Sequence, residues 1–212
     1  PTRSAVLVRL SHGHIRIGSF QRHAYLGDQD ALEALTRHAA QHYYPDLDAN
    51  APMAALAVEF VRRVVDATAQ TTAEWTAAGF VHGVLNTDNI NITGESFDYG
   101  PWRFLPEMDA KFTAAYFDDS GLYAFGRQPQ AVLWNVSRLA ECFTDFASQR
   151  DLSSALETFD GAFNAALSTA LARRLGIAPQ DAARLELRSR LLPALHQART
   201  PFENIFFDCY GG

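Results

Sequence analysis

Residues 80–104, FVHGVLNTDNINITGESFDYGPWRF, break the pattern of the chain around them. Two short apolar pieces, INI and FDYG, are separated by Thr93-Gly94-Glu95-Ser96, a composition that predicts a tight hairpin. Oxygen-bearing side chains stand on both sides of that turn: Asp88 and Asn89 before it, Asp98 after it. Magnesium takes hard oxygen ligands, one or two from side chains and the rest from phosphate and water. Asn89 and Asp98 are therefore candidate ligands carried on the two arms of a hairpin. His82 reads as a brace that hydrogen-bonds the loop, and Gly83 and Gly100 as positions of close backbone approach or unusual dihedrals.

The flanks read differently. On the N-terminal side, SAVLVRLSHGHIRIGSF contains two strand-prone runs, Ala5–Leu10 and Ile15–Phe20, around a Ser-His-Gly-His turn. DQDALEALTRHAAQHYYPDL, from Asp28, has the acidic start and late proline of a helix. Ala54–Ala78 places Leu56, Phe60, Val64 and Val65 at helical spacing and ends on Gly79. On the C-terminal side, residues 101–128 predict an ordered, irregular aromatic loop. Helices are expected over about 129–147, 151–174 and 179–197. The fold class is α+β, mainly α, with a small β-hairpin carrying the metal-binding residues.

A chain of 212 residues with 48% hydrophobic and 20% charged residues suits a globular domain. No apolar run reaches the ~20 residues of a membrane span, so no membrane partner is expected. A net charge of -6 argues against nucleic acid as a partner. Two cysteines, Cys142 and Cys209, point to a reducing compartment rather than a disulfide framework, and a cytoplasmic location follows. Among the 18 basic residues only Lys111 is a lysine, so a role needing an amine falls to it or lies outside this sequence.

Protein-kinase catalytic loops follow H-x-D-x-x-x-x-N, with D-F-G further on. His82 to Asn89 keeps that spacing and Asp98-Tyr99-Gly100 stands in the D-F-G position, but Val84 fills the place of the base. Valine accepts no proton. The remaining carboxylate is Asp88, which either receives or orients the hydrogen of an attacking hydroxyl, or is a turn residue capping local amides.

Taken together, GFVHGVLNTDNINITGESFDYGPWRFL resembles the signature of the selenoprotein O family, kinase-fold proteins that act as protein adenylyltransferases. VLVRLSHGHIRIGSFQ resembles the family's upstream arginine segment, and QPQAVLWNVSRLAECF its helix after the loop. The resemblance implies a partial kinase-like domain over residues 1–212. Residues 1–27 would be a linker and β segment, and 28–212 a helical C-terminal lobe with its catalytic loop at 80–100. It implies ATP bound in a flipped orientation and AMP transfer to Ser, Thr or Tyr hydroxyls of protein substrates. Asp88 would be the proton acceptor, and Asn89 and Asp98 would hold magnesium, or manganese in its place. Arg9 and Arg16 would contact phosphate; read without that context, two arginines seven apart equally suit a solvated strand edge.

Against the family pattern, the sequence offers no phosphate-gripping lysine on a preceding strand. The expectation is that the N-terminal lobe, a partner from the same parent protein, is missing here and that this chain alone is inactive. Two other functions stay open: ordinary phosphotransfer, and a nucleotide-binding pseudokinase scaffold without turnover. His38 and His42, four apart, are expected on a solvated helix face rather than at a metal. Most aromatics of the 101–128 loop are expected to pack beneath it, and Cys209 to be partly buried.

Overall fold

The computed structural model describes residues 6, 8, 10–178, 181 and 186–211. Its longest element is the helix announced by the apolar spacing, α3 (Met53–Ala77), following α1 (Ile17–Tyr25) and α2 (Gln29–Tyr43). Leu56, Phe60, Val64 and Val65 are buried on α3, as the periodicity requires. Thr68, Thr72 and Thr76 are buried too. Each hydroxyl donates to a carbonyl one turn back in its own helix, at 2.7–2.8 Å, so none enters the core unpaired. Gly79 closes the helix at φ 64°, where a side chain would be strained. Asp28 caps α2 by accepting from the Ala31 amide at 3.0 Å.

Beyond the loop come α4 (Gln128–Glu141), α5 (Gln149–Leu156), α6 (Phe159–Arg174) and α7 (Leu187–Ala198). α3 packs against α4, α5 and α6, and the core runs along these contacts. The helix expected over 151–174 is two helices, broken at Glu157 and Thr158. Phe159 and Phe163 can then turn inward on the second. That expected over 129–147 ends at Glu141, after which Phe143 enters the core through a series of turns. Of the helix expected over 179–197, residues 179, 180 and 182–185 lie outside the described residues.

The strand-prone run Ile15–Phe20 is not a strand. Arg16 is the last extended residue, bridged to Asn91, and the chain then enters α1. Ile17 and Phe20, three apart, are both fully buried, which helical spacing permits and strand alternation does not. Half of the run Ala5–Leu10, residues 5, 7 and 9, lies outside the described residues.

The sheet consists of two antiparallel strands, β1 (Phe80–His82) and β2 (Trp102–Phe104), with His82 opposite Trp102 and Phe80 opposite Phe104. It closes the neck of the loop rather than forming its tip. Where a metal-bearing hairpin was expected, a tight turn carries one isolated bridge, Ile90 to Ser96. The architecture is thus mainly helical with one small sheet among the described residues. Among the described residues no helix is long and apolar enough to cross a membrane.

Two expectations about side chains are corrected. Trp102, Phe104, Tyr116 and Phe117 are all at least half exposed, while Phe125 alone of the loop aromatics is fully packed away. Cys209 is exposed on the last turns; Cys142 is the buried thiol. His38 and His42 are exposed and stacked, and His42 Nδ1 lies 2.8 Å from the His38 carbonyl.

Candidate active site

Loop 83–101 is suspended from α4. The buried Gln128 amide accepts from the His82 backbone N–H at 2.8 Å and donates to the Phe80 carbonyl at 3.0 Å, so it grips β1 at both ends. Asn135, two turns along the same face of α4, donates to the Leu85 carbonyl at 2.9 Å. Gly83 allows the neck to close: its N–H reaches the Pro101 carbonyl at 2.8 Å, and a Cβ there would meet that oxygen at 2.7 Å. Gly100 is not crowded in this way: a Cβ added there would come no closer than 3.6 Å, to Asp98 Oδ1.

His82 braces the interior of the loop. Its Nδ1 accepts from the Val84 amide at 3.1 Å, which leaves the proton on Nε2, 2.8 Å from the Asp98 carbonyl and 2.9 Å from Ser96 Oγ. Burial pushes the imidazole down to about 4, although the contacts with Asp98 act the other way, so the ring is neutral at physiological pH. Ser96 Oγ lies 3.0 Å from the Asn89 carbonyl and 2.7 Å from the Asp98 carbonyl. Ser96 and His82, each with one proton to give, therefore staple together the backbones of the two residues expected to hold metal.

Their side chains suit a hard cation. Asn89 Nδ2 donates to the Val84 carbonyl at 2.9 Å, fixing the amide so that Oδ1 is its outward atom. Asp98 Oδ1 accepts the Gly100 amide at 3.0 Å, and a carboxylate keeps lone pairs beyond one such bond. Among the described residues no group of three or more His, Cys, Asp or Glu could hold a metal by itself. An ion here would need phosphate and water oxygens to complete its shell, the usual situation for magnesium.

Asp88 lies against α1, beside Gly18. The first two amides of α1 donate to loop carbonyls, Ile17 to Ile90 at 3.0 Å and Gly18 to Thr87 at 2.9 Å, so the loop itself caps the helix. Arg16, just before, places Nη1 3.7 Å from Asp88 Oδ1 and lays its guanidinium on the Phe97 ring at 4.7 Å. Arg16 and Asp88 are thus brought together, both solvent-accessible; Arg9 lies outside the described residues.

Glu95 ties the arginine segment to the loop, a role that spacing did not suggest. Its carboxylate accepts from Ser11 Oγ at 2.9 Å, the His12 amide at 3.1 Å and Thr93 Oγ1 at 3.1 Å, and faces His12 Nδ1 at 3.0 Å. Burial raises this carboxyl, but the bonds from His12, Ser11 and Thr93 outweigh it and hold it below the ordinary range. Asn91 adds a bond to the Gly13 carbonyl at 2.9 Å.

The family model described as "Protein adenylyltransferase SelO" matches residues 1–210. This chain belongs to the SelO family. Its SelO relatives include the protein nucleotidyltransferase YdiU of Synechocystis, 39% identical over 97% of this chain and 44% of that protein. The YdiU of Trichodesmium erythraeum is 42% identical over 87% of this chain and 41% of that protein. That of Rhodopseudomonas palustris is 39% identical over 95% and 42%. The chain therefore spans less than half the length of these SelO-family relatives. The residues that the family model matches include the whole of loop 83–101 together with α1 and α4.

Proposed function

We propose that the intact protein transfers AMP from ATP to Ser, Thr or Tyr hydroxyls of other proteins. The observation that carries this reading is the apposition of Arg16 and Asp88 beside the stapled pair Asn89 and Asp98. A permanent cation, an exposed carboxylate and two hard-oxygen side chains are the parts that nucleotidyl transfer requires. Val84 at the usual base position leaves Asp88 as the loop's proton acceptor.

In this reading Asn89 and Asp98 hold magnesium, or manganese, on the nucleotide phosphates. The bound ion would neutralise charge on the triphosphate and on the departing pyrophosphate. Arg16 binds phosphate oxygens through its guanidinium fork, and family resemblance assigns Arg9 the same role. Asp88 takes the proton of the acceptor hydroxyl as its oxygen bonds to the α-phosphorus and the bond to pyrophosphate breaks. An N-terminal lobe of the same protein completes the nucleotide site, and activity belongs to the intact chain. The 212-residue segment alone is then expected to bind Mg-ATP only weakly, a point that calorimetric titration checks.

ATP labelled at the α-phosphate should leave its label on acceptor protein, and ATP labelled at the γ-phosphate should not. Asp88→Ala and Asp98→Ala in the intact protein should each abolish the α-label transfer. Transfer of the γ-label would replace this reading by phosphotransfer. Unchanged nucleotide binding with no transfer from either position would replace it by a scaffold role.

A further inference from the structure

We infer that Phe97 is a positioning residue for phosphate recognition, acting through Arg16; the inference rests on the nucleotidyl-transfer reading above. Phe97 occupies the one step between the stapled turn and Asp98, and its backbone amide donates to the Asn89 carbonyl at 2.8 Å. Its main chain is therefore fixed to both expected metal ligands. Its ring leaves the loop and carries the Arg16 guanidinium on its face at 4.7 Å, and His14 meets the same ring edge-on at 6.0 Å. His14 and Arg16 stand two apart on extended backbone, the spacing that puts side chains on one side of a strand.

The ring does for Arg16 what a hydrogen bond could not. A guanidinium held by a carboxylate alone spends its donors on that carboxylate, whereas one lying on an aromatic face keeps its N–H edges in the plane. Arg16 thus lies over Phe97 with one edge toward Asp88 Oδ1 at 3.7 Å, long for a direct bond. Both side chains are partly solvated, a setting in which such a pair contributes little and exchanges readily. An incoming phosphate can take over the donors facing Asp88 while the ring keeps the guanidinium in place. Phe97 in this way couples the cation that meets phosphate to the backbone that carries Asn89 and Asp98.

The test is a set of four variants of the intact protein, assayed by α-label transfer across a range of Mg-ATP concentrations. Loss of a half-buried cation–π contact is worth roughly a three- to tenfold change in affinity. Phe97→Ala and Phe97→Leu should each raise KM for Mg-ATP by about that factor while kcat changes less than twofold. Phe97→Tyr and Phe97→Trp should stay within about twofold of the unsubstituted protein. Phe97→Leu keeps apolar bulk and removes the π face. If it matches the unsubstituted protein, the ring is only filling space and the inference is wrong. A fall in kcat with KM unchanged for Phe97→Leu also overturns it. Absence of any α-label transfer by the unsubstituted protein removes the underlying reading and this inference together; transfer with normal Phe97→Leu kinetics removes the inference alone.

Discussion

Replacing Gly18 by alanine should separate the stability of the fold from the chemistry of the site. Gly18 is in the first turn of α1 with helical backbone, so an added methyl removes glycine's entropic disadvantage, a gain of up to roughly 0.5–1 kcal/mol. That methyl would lie 2.3 Å from Asp88 Oδ1 and 3.2 Å from its Cγ. The first distance is about 1 Å inside ordinary contact. The carboxylate is exposed and sits at the end of a rotatable side chain, so it yields before the helix does. Misplacing a reacting group by ~1 Å costs as much as 10²-fold in rate. In the intact protein, Gly18→Ala should therefore lower kcat for α-label transfer about 10- to 100-fold, with KM for Mg-ATP changed less than about threefold. Guanidinium denaturation of the same variant should show an unchanged or higher midpoint at the same slope. Transfer at the full rate would refute the placement of Asp88 at the reacting centre. A loss of more than about 1 kcal/mol would show that the backbone moved instead.

Acid should weaken the fold in two stages. The folded-state value of His82 is about 4 against an ordinary 6.5, so between those limits the unfolded chain takes up a proton that the folded chain refuses. This contribution is complete above pH ~6.5 and is lost as pH falls toward 4, by roughly 3 kcal/mol at the limit. Glu95, held below the ordinary carboxylate range, contributes stability above its unfolded value that is lost as pH falls through its folded one. Denaturant midpoints measured from pH 7 to about 3 check this, and a flat profile sinks it. Tyr44→Phe removes the hydroxyl that donates to the buried Ile92 carbonyl and should cost about 1–2 kcal/mol in the same assay. A cost below a few tenths would mean that water replaces the bond.

The helices whose apolar residues recur at 3.6-residue spacing were legible in the sequence. α3 could be read because Leu56, Phe60, Val64 and Val65 recur at helical spacing and all enter the core, and α2 because Asp28 supplies a cap. α1 was misread because Ile15–Phe20 is rich in β-branched and aromatic residues. Its helix start depends on carbonyls of Thr87 and Ile90, seventy residues away, which no local window contains. The spacing of the apolar Ile17 and Phe20, three apart, was a signal open to use. Within the loop, Asp88, Asn89, Asp98 and the brace His82 could be singled out by residue type and order. Gly18, Glu95, Phe97 and Ser96 could not, since each acts through a contact between segments far apart in sequence. The break between α5 and α6 carries no glycine or proline; what divides them is the inward turn of Phe159 and Phe163.

Gln128 holds β1 with an acceptor and a donor on the same side-chain amide. Hydrolysis of that amide to glutamate would put oxygen against oxygen at the Phe80 carbonyl and a negative charge in a fully buried place. The reaction is thus a form of chemical ageing that the fold suppresses by keeping water from the amide. A molecule that had aged at this position while transiently open could not close again around the same neck. Such damage would register as a slow decline in the fraction of protein able to refold, ahead of any visible change in the exposed residues of the loop.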